Sequence, residues 1–311
     1  MAIERATAFA PGSVGNVGVG FDILGFAFGA VGDRVTVTRR PTPGVNIRAI
    51  SGVPDALPQD AEQNTAGGAL LAMQEALRLP FGFDVEIEKG IPLSSGLGGS
   101  AASAVAAVVA ANALLDVPRP MAQLLTYALQ GEAIASGSKH ADNVAPCLYG
   151  GLVLAIGAEP PRIASIPAPA GVRAIVVHPH LQIATKAARA VLRPDVPMPS
   201  FIEQTANLAG FITGCFAGDL DLIAASLRDV VIEPQRAHLI PRFEAARDAA
   251  LSAGALGCSI SGAGPSVFAF AREECAEAVL AALLTVFASR SIASDGWVVD
   301  LNSRGAHVLP T

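Results

Sequence analysis

Pro92-Leu93-Ser94-Ser95-Gly96-Leu97-Gly98-Gly99-Ser100-Ala101-Ala102 is the stretch that most narrows what this chain can become. It joins an alternating stretch, Phe83 to Glu88, to a long Ala- and Val-rich run, Ala101 to Leu115, so it stands where a strand hands over to a helix. A tight turn needs one or two glycines, not three glycines with three serines. Glycines let the backbone approach a ligand, and the free amides and positive dipole end of the following helix favour negative charge, so the segment reads as a phosphate site. A side chain at Gly98 is expected to intrude on the phosphate and leave the fold intact. The segment is not a Walker loop, which ends Gly-Lys-Ser/Thr, because Gly99 is followed directly by Ser100. Gly96 to Ala101 does fit the dinucleotide pattern G-x-G-x-x-A, with Asp116 beyond it. That fingerprint follows directly on a fully apolar strand, whereas Asp84-Val85-Glu86-Ile87-Glu88 alternates and a spacer intervenes, which leaves the oxidoreductase as the weaker reading.

Charge and composition point the same way. A formal net charge of −6 without a long basic run argues against nucleic acid or an anionic membrane as partner and for a small molecule. With 311 residues, 51% of them hydrophobic, the chain can bury a large core or two. Cys147, Cys215, Cys258 and Cys275 lie far apart with no CxxC pair, as packing thiols in a reducing compartment would. The beginning of the chain lacks a basic, apolar export signal, and the Ala-rich run is too short and weakly apolar to span a membrane, so the expected location is the cytoplasm.

Along the chain, strands are expected at Val35 to Val37 and Phe83 to Glu88, helices at Ala66 to Leu77, Ala101 to Leu115 and Met121 to Ala135, and a strand at Leu152 to Ile156. Pro160, Pro161, Pro167 and Pro169 should break regular structure, which places a boundary near residue 160 and divides the chain into domains 1–160 and 161–311. The second domain reads as α+β. It should have a strand at Val172 to Val177 and helices between Thr185 and Ala253, then an antiparallel pair flanking Gly262-Ala263-Gly264-Pro265. A helix from about Glu273 and a strand at Trp297 to Leu301 should close it.

Two further glycine-rich stretches read as ordinary loops when taken singly: Pro11 to Asp22, which sets Asn16 and Asp22 among glycines, and Gly257 to Ser266. All three in this order resemble the GHMP kinases, the family of galactokinase, mevalonate kinase and phosphomevalonate kinase. Asn16 to Gly25, Lys139-His140-Ala141-Asp142-Asn143-Val144-Ala145-Pro146 and Gly305-Ala306 resemble the homoserine-phosphorylating branch, and the likeness covers essentially the whole chain. It implies an α+β fold of two domains: a ribosomal S5 domain 2-like amino-terminal domain that binds ATP, with a left-handed βαβ crossover, and a ferredoxin-like carboxyl-terminal domain. It also implies phosphoryl transfer from ATP to L-homoserine on the way to threonine, with Mg2+, in a homodimer. A sister kinase for a sugar or an isoprenoid precursor stays open as the alternative.

The same resemblance implies roles. Pro92 to Ala102, that is Pro92, Leu93, Ser94, Ser95, Gly96, Leu97, Gly98, Gly99, Ser100, Ala101 and Ala102, would hold the nucleotide, with Asn64 near the adenine. Ser100 and Glu132 would hold the magnesium; Glu132 continues the apolar face of its helix, and a salt bridge is the other use for a carboxylate there. Asn143 would face the accepting hydroxyl, within a polar loop that also carries His140 and Asp142, the last without an assigned role. Asp22 suits an α-ammonium group, and Arg189 and Arg236 offer planar forks for an α-carboxylate. Asn16, His140, Thr185 and Gly262 complete the expected substrate contacts.

Overall fold

The computed structural model describes residues 3–52, 57–137, 139–157 and 160–310. The chain opens with β1 (Arg5–Gly15), β2 (Leu24–Arg40) and β3 (Val45–Ser51), then α1 (Thr65–Leu77), β4 (Gly82–Glu88), α2 (Gly99–Ala113), α3 (Met121–Ser136) and α4 (Ala141–Tyr149). The hairpin β5 (Leu152–Ile156) and β6 (Arg162–Ile166) follows. Beyond it come β7 (Val172–Pro179), α5 (Thr185–Ala190), α6 (Met198–Ala217), α7 (Leu220–Ser226), α8 (Glu233–Arg236) and α9 (Phe243–Ser252). The last elements are β8 (Ala255–Ile260), β9 (Val267–Arg272), α10 (Ala276–Ala288), β10 (Ser294–Asp300) and β11 (His307–Val308).

Two sheets result. In the first, ordered β11-β1-β2-β4-β3 with β5 and β6 beside the start of β2, period-two alternation sets the faces. Val35 faces Ile87 and Val37 faces Val85 across β2 and β4, all four buried, while Arg34 pairs with Glu88 on the outer side. β3 and β4 are parallel, joined through α1. α2 lies at the centre, in contact with β1, β2, α1, α3 and α4. Its Ala and Val side chains are what let so many neighbours approach.

The second sheet, β10-β7-β9-β8, is antiparallel throughout, and its strands and flanking helices follow the split βαβ order of ferredoxin-like domains. Both faces are buried. Ile175, Val177, Val267 and Ala269 meet α9 and α10, while Ala174, Val176, Phe268 and Phe270 join the core of the first sheet, where Phe26 packs on Phe268 and Phe270. This is why the central strands β7 and β9 are almost wholly apolar and do not alternate.

The structure departs from the sequence reading in two segments. The proline-rich stretch does not break regular structure throughout, for β6 forms between Pro161 and Pro167 and pairs with β5. Residue 160 therefore lies inside a hairpin of the first sheet, and sheet membership changes between Ile166 and Val172. Prolines beside a strand that pairs on one side only remove no ladder bond. His140 to Pro146 is likewise not a polar loop: Ala141–Tyr149 is helical, with Pro146 inside it. The missing proline N–H leaves the Asp142 carbonyl without its helical donor, and Gly25 of β2 lies against that carbonyl, so closely that a Cβ there would collide with it.

Beneath the start of α2 lies a buried charge pair, Asp33 of β2 and Lys89 at the end of β4. Lys89 Nζ donates to Asp33 Oδ2, to Gly99 O at 2.7 Å and to Ser103 Oγ at 2.9 Å. Asp33 accepts further from Ser103 Oγ at 2.6 Å and from the amides of Gly90 and Ile91. A buried pair this well satisfied costs little as it stands, but removing one partner strands the other. Lys89→Met is expected to lower the free energy of unfolding by about 3–5 kcal/mol in urea titrations, and Asp33→Asn added to it to recover part of the loss.

Candidate active site

The glycine-rich segment runs from Ile91 into α2, whose first residues are Gly99 and Ser100. Among the described residues the amides of Gly99, Ser100 and Ala101 have no acceptor, as expected of a helix's first turn. The segment's carbonyls, in contrast, are tied down. Ser266 Oγ and N donate to Ser95 O at 2.6 and 3.2 Å, Ser261 Oγ to Gly96 O at 2.7 Å, Ser13 N to Leu97 O at 3.0 Å and Ile183 N to Ser94 O at 3.2 Å.

The glycines are explained by these neighbours. Gly96 and Gly98 have φ of +78° and +68°, and a Cβ on Gly96 would stand 2.5 Å from Ser261 O. A Cβ on Gly98 would collide with Ser13 Oγ, which corrects the expectation that this position tolerates a side chain while only the ligand suffers. The fold itself requires the glycine.

A cavity of about 570 Å³ opens beside this helix start. Its walls gather nearly every residue singled out from the sequence: Pro92 to Gly96, Gly98, Gly99, Ser100, Asn16, Asp22, Asn64, Glu132, His140, Asn143, Thr185, Arg189, Arg236 and Gly262. Leu97, Ala101 and Ala102 are absent from the walls and point into the core, fully buried. Asn64 lines the cavity, but its side chain is already engaged: it caps α1 by accepting from Ala66 N and Gly67 N, and donates to Pro58 O.

At the far end, the first glycine-rich stretch makes the turn between β1 and β2. Asn16 fixes it, donating to Gly262 O at 2.8 Å and accepting from Asp22 N at 3.1 Å. Asp22 meets Arg189 with both oxygens, at 2.8 and 3.0 Å, and Arg189 Nη2 lies 2.9 Å from His140 Nε2. Arg236, almost wholly buried, donates Nε to Ala188 O at 2.9 Å and Nη1 to Gly262 O at 3.2 Å. Two open guanidinium forks were expected; instead one is closed on Asp22 and His140 and the other half spent on backbone carbonyls. Asn143 Oδ1 accepts from Ser13 Oγ at 2.9 Å, and its Nδ2 donates to Asp142 Oδ2 at 3.2 Å. His140 Nδ1 stands 3.9 Å from Glu132 Oε1, and that carboxylate, ahead of the fields of Asp142 and Asp22, raises the imidazole above its ordinary value.

Lys89 and Ser103 also line the cavity and went unnoticed in the sequence. A lysine closing a half-exposed strand reads as solvated; only its pairing with Asp33, 56 positions away, buries it. Ser100 and Glu132 offer a hydroxyl and a buried carboxylate on the same wall. Among the described residues no group of three or more His, Cys, Asp and Glu could hold a metal ion. Such a donor set fits a hard cation that keeps waters and shares phosphate oxygens, as magnesium does, and not a soft or fully caged one.

The family model described as GHMP kinases N terminal domain matches residues 64–151, and the one described as GHMP kinases C terminal matches residues 211–289. The chain belongs to the GHMP kinase family. ATP is therefore its co-substrate. A homoserine kinase of Xylella fastidiosa is 52% identical to this GHMP kinase over 309 residues, 99% of the chain and 95% of the relative. One of Chlorobaculum tepidum is 42% identical over 322 residues, covering 99% of each chain. The crystal structure of a homoserine kinase from Cytophaga hutchinsonii superposes with a TM-score of 0.95 at 42% identity, covering 99% of this chain and 98% of that one. Among the described residues no helix is long and apolar enough to cross a membrane.

Asp142 sets a measurable pH dependence. Its Oδ1 is buried without a hydrogen-bond partner, and burial, then the charge of Asp22, pushes the carboxyl up to about 7. A carboxyl raised in the folded state holds its proton longer than in the unfolded chain, so this group's contribution falls as pH rises from about 4 to about 7. Asp142→Asn is expected to gain on the wild type in urea midpoint between about pH 5 and about pH 8, by an amount worth about 1 kcal/mol or more. Parallel pH profiles for the two proteins would show that Asp142 titrates normally.

Proposed function

We propose that this GHMP kinase phosphorylates the side-chain hydroxyl of L-homoserine with ATP, giving O-phospho-L-homoserine and ADP, a step toward threonine. One observation carries the reading. A single cavity holds an anion site at the start of α2 and, at its other end, Asp22 with two guanidiniums, Arg189 and Arg236, the charge pattern of an amino acid. The relatives named homoserine kinase, at 42–52% identity over nearly the whole chain, support it.

Phosphoryl transfer asks of a protein mainly positioning and charge neutralisation. The amides of Gly99, Ser100 and Ala101 and the dipole of α2 receive phosphate oxygens. Asp22 takes the α-ammonium group, and Arg189 and Arg236 the α-carboxylate. Asn143, held by Ser13 on one side and Asp142 on the other, turns its amide toward the accepting hydroxyl. Ser100 and Glu132 would hold magnesium, which when bound offsets the charge of the phosphates. Asn64 and the wall beside Pro58 and Thr65 suit the base of the nucleotide. With the change of sheet placed between Ile166 and Val172, the division of labour follows the two sheets only in part, because Arg189, Arg236 and Gly262 from beyond that point reach into a site walled mainly by what precedes it.

A coupled ADP-release assay across L-homoserine, L-threonine, mevalonate and galactose tests the acceptor, and turnover of L-homoserine well above the rest is expected. Arg236→Ala should raise the KM for L-homoserine about 10- to 150-fold, the effect of one charged hydrogen bond, with the KM for ATP nearly unchanged. A thermal melt controls for the loss of its bonds to Ala188 and Gly262. Equal shifts in both KM values would return the acceptor question to sugars and isoprenoid precursors. Glu132→Gln should cut kcat by at least roughly 100-fold without lowering stability.

A further inference from the structure

Both guanidiniums at the substrate end rest on one aromatic ring. Arg236 Cζ stands 5.1 Å and Arg189 Cζ 5.3 Å from the centroid of Phe21, within the range where a ring face attracts a cation. Two like charges side by side repel, and here one of them is almost wholly buried. Burial, then the charge of Arg189, pushes the pKa of Arg236 down. The carboxylates near them do not bind Arg236. Asp22 is closed on Arg189, and Asp229 accepts from the amides of Val231, Ile232 and Glu233. Arg236 bonds only to the carbonyls of Ala188 and Gly262 among the described residues. What faces both cations together is the ring.

The backbone delivers that ring on purpose of geometry. Asp22 takes a left-handed conformation, φ +62°, held by the bond from its amide to Asn16 Oδ1, so that Phe21 and Asp22 turn toward the arginines from one bend. Phe21 is half-buried and does not line the cavity, so it acts through the arginines and not on the ligand.

We propose that Phe21 is a positioning residue for acceptor recognition: its ring face holds Arg189 and Arg236 side by side so that both aim at one carboxylate. The inference rests on the amino-acid reading of the site. It makes ring electronics, and not only ring volume, a determinant of acceptor affinity.

The test replaces Phe21 by Leu and by Tyr, and by phenylalanines carrying one, two and three ring fluorines introduced through an amber codon, each assayed for kcat and both KM values. Phe21→Leu should raise the KM for L-homoserine about 5- to 30-fold, the effect of two cation–π contacts, while the KM for ATP and kcat stay within about 2-fold. Phe21→Tyr should restore the wild-type value. The fluorinated series should raise the KM for L-homoserine stepwise, since each fluorine drains the ring face while scarcely changing its volume. A flat series, or a Phe21→Leu variant that shifts both KM values together, overturns the inference and leaves the acceptor reading standing. A wild-type chain that phosphorylates no L-homoserine overturns both.

Discussion

The bonds from the β8–β9 turn to the glycine-rich segment are what the site depends on. Ser261 and Ser266 occupy the carbonyls of Gly96 and Ser95, so the segment is tied down through its carbonyls while, among the described residues, the amides of Gly99, Ser100 and Ala101 stay open. Backbone polar groups must be satisfied somewhere, and here one sheet satisfies half of the other domain's loop. The second sheet can do this because both its faces are buried, one under α9 and α10 and the other on the first core. A support from a separate sheet holds the start of α2, the proposed anion site, in place.

Charge follows the same plan. Asp33, Lys89, Glu132, His140, Asp142 and Arg236 are all buried and line or underlie one cavity, while elsewhere the ion pairs are mostly exposed. Burying so many ionisable groups costs stability, and the cost is offset pairwise: Lys89 with Asp33, Asn143 with Asp142, Phe21 with two arginines. Among the described residues of the site, Asp142 Oδ1 and Arg189 Nε are buried without a hydrogen-bond partner, the first beside the proposed place of the accepting hydroxyl. Orphaned groups of this kind concentrate where a molecule acts, not where it is merely held together.

Much of this was legible in the residues because it is local. Alternation marks β4, small-residue runs mark α2, and Gly96, Gly98 and Gly99 between them mark the tight strand-to-helix passage that leaves the first amides of α2 open. What was not legible depends on residues far apart. Lys89 looks like a surface lysine until Asp33 is placed opposite it. Gly98 looks like a ligand's requirement until Ser13 is found against it. α4 contains a proline that local rules treat as a stop, yet the helix runs on through it, with the carbonyl it frees lying against Gly25 of β2. Arg236 reads as an open fork because nothing near it in sequence announces the carbonyls of Ala188 and Gly262. β6 escaped notice for the opposite reason, since prolines on either side hide five ordinary strand residues.

The closed pair of Asp22 and Arg189 bears on which molecules can enter. In the proposed amino-acid site a zwitterion would slide between the two charges and hand each a new opposite partner, so one contact would be exchanged for two with the local charge unchanged. A molecule carrying a carboxylate alone draws Arg189 away and leaves Asp22 bare in a half-buried turn; one carrying an amine alone does the reverse to Arg189. If the proposed site holds, the ion pair would act as a filter against singly charged metabolites, working by what each ligand leaves behind and not by the fit of what it brings.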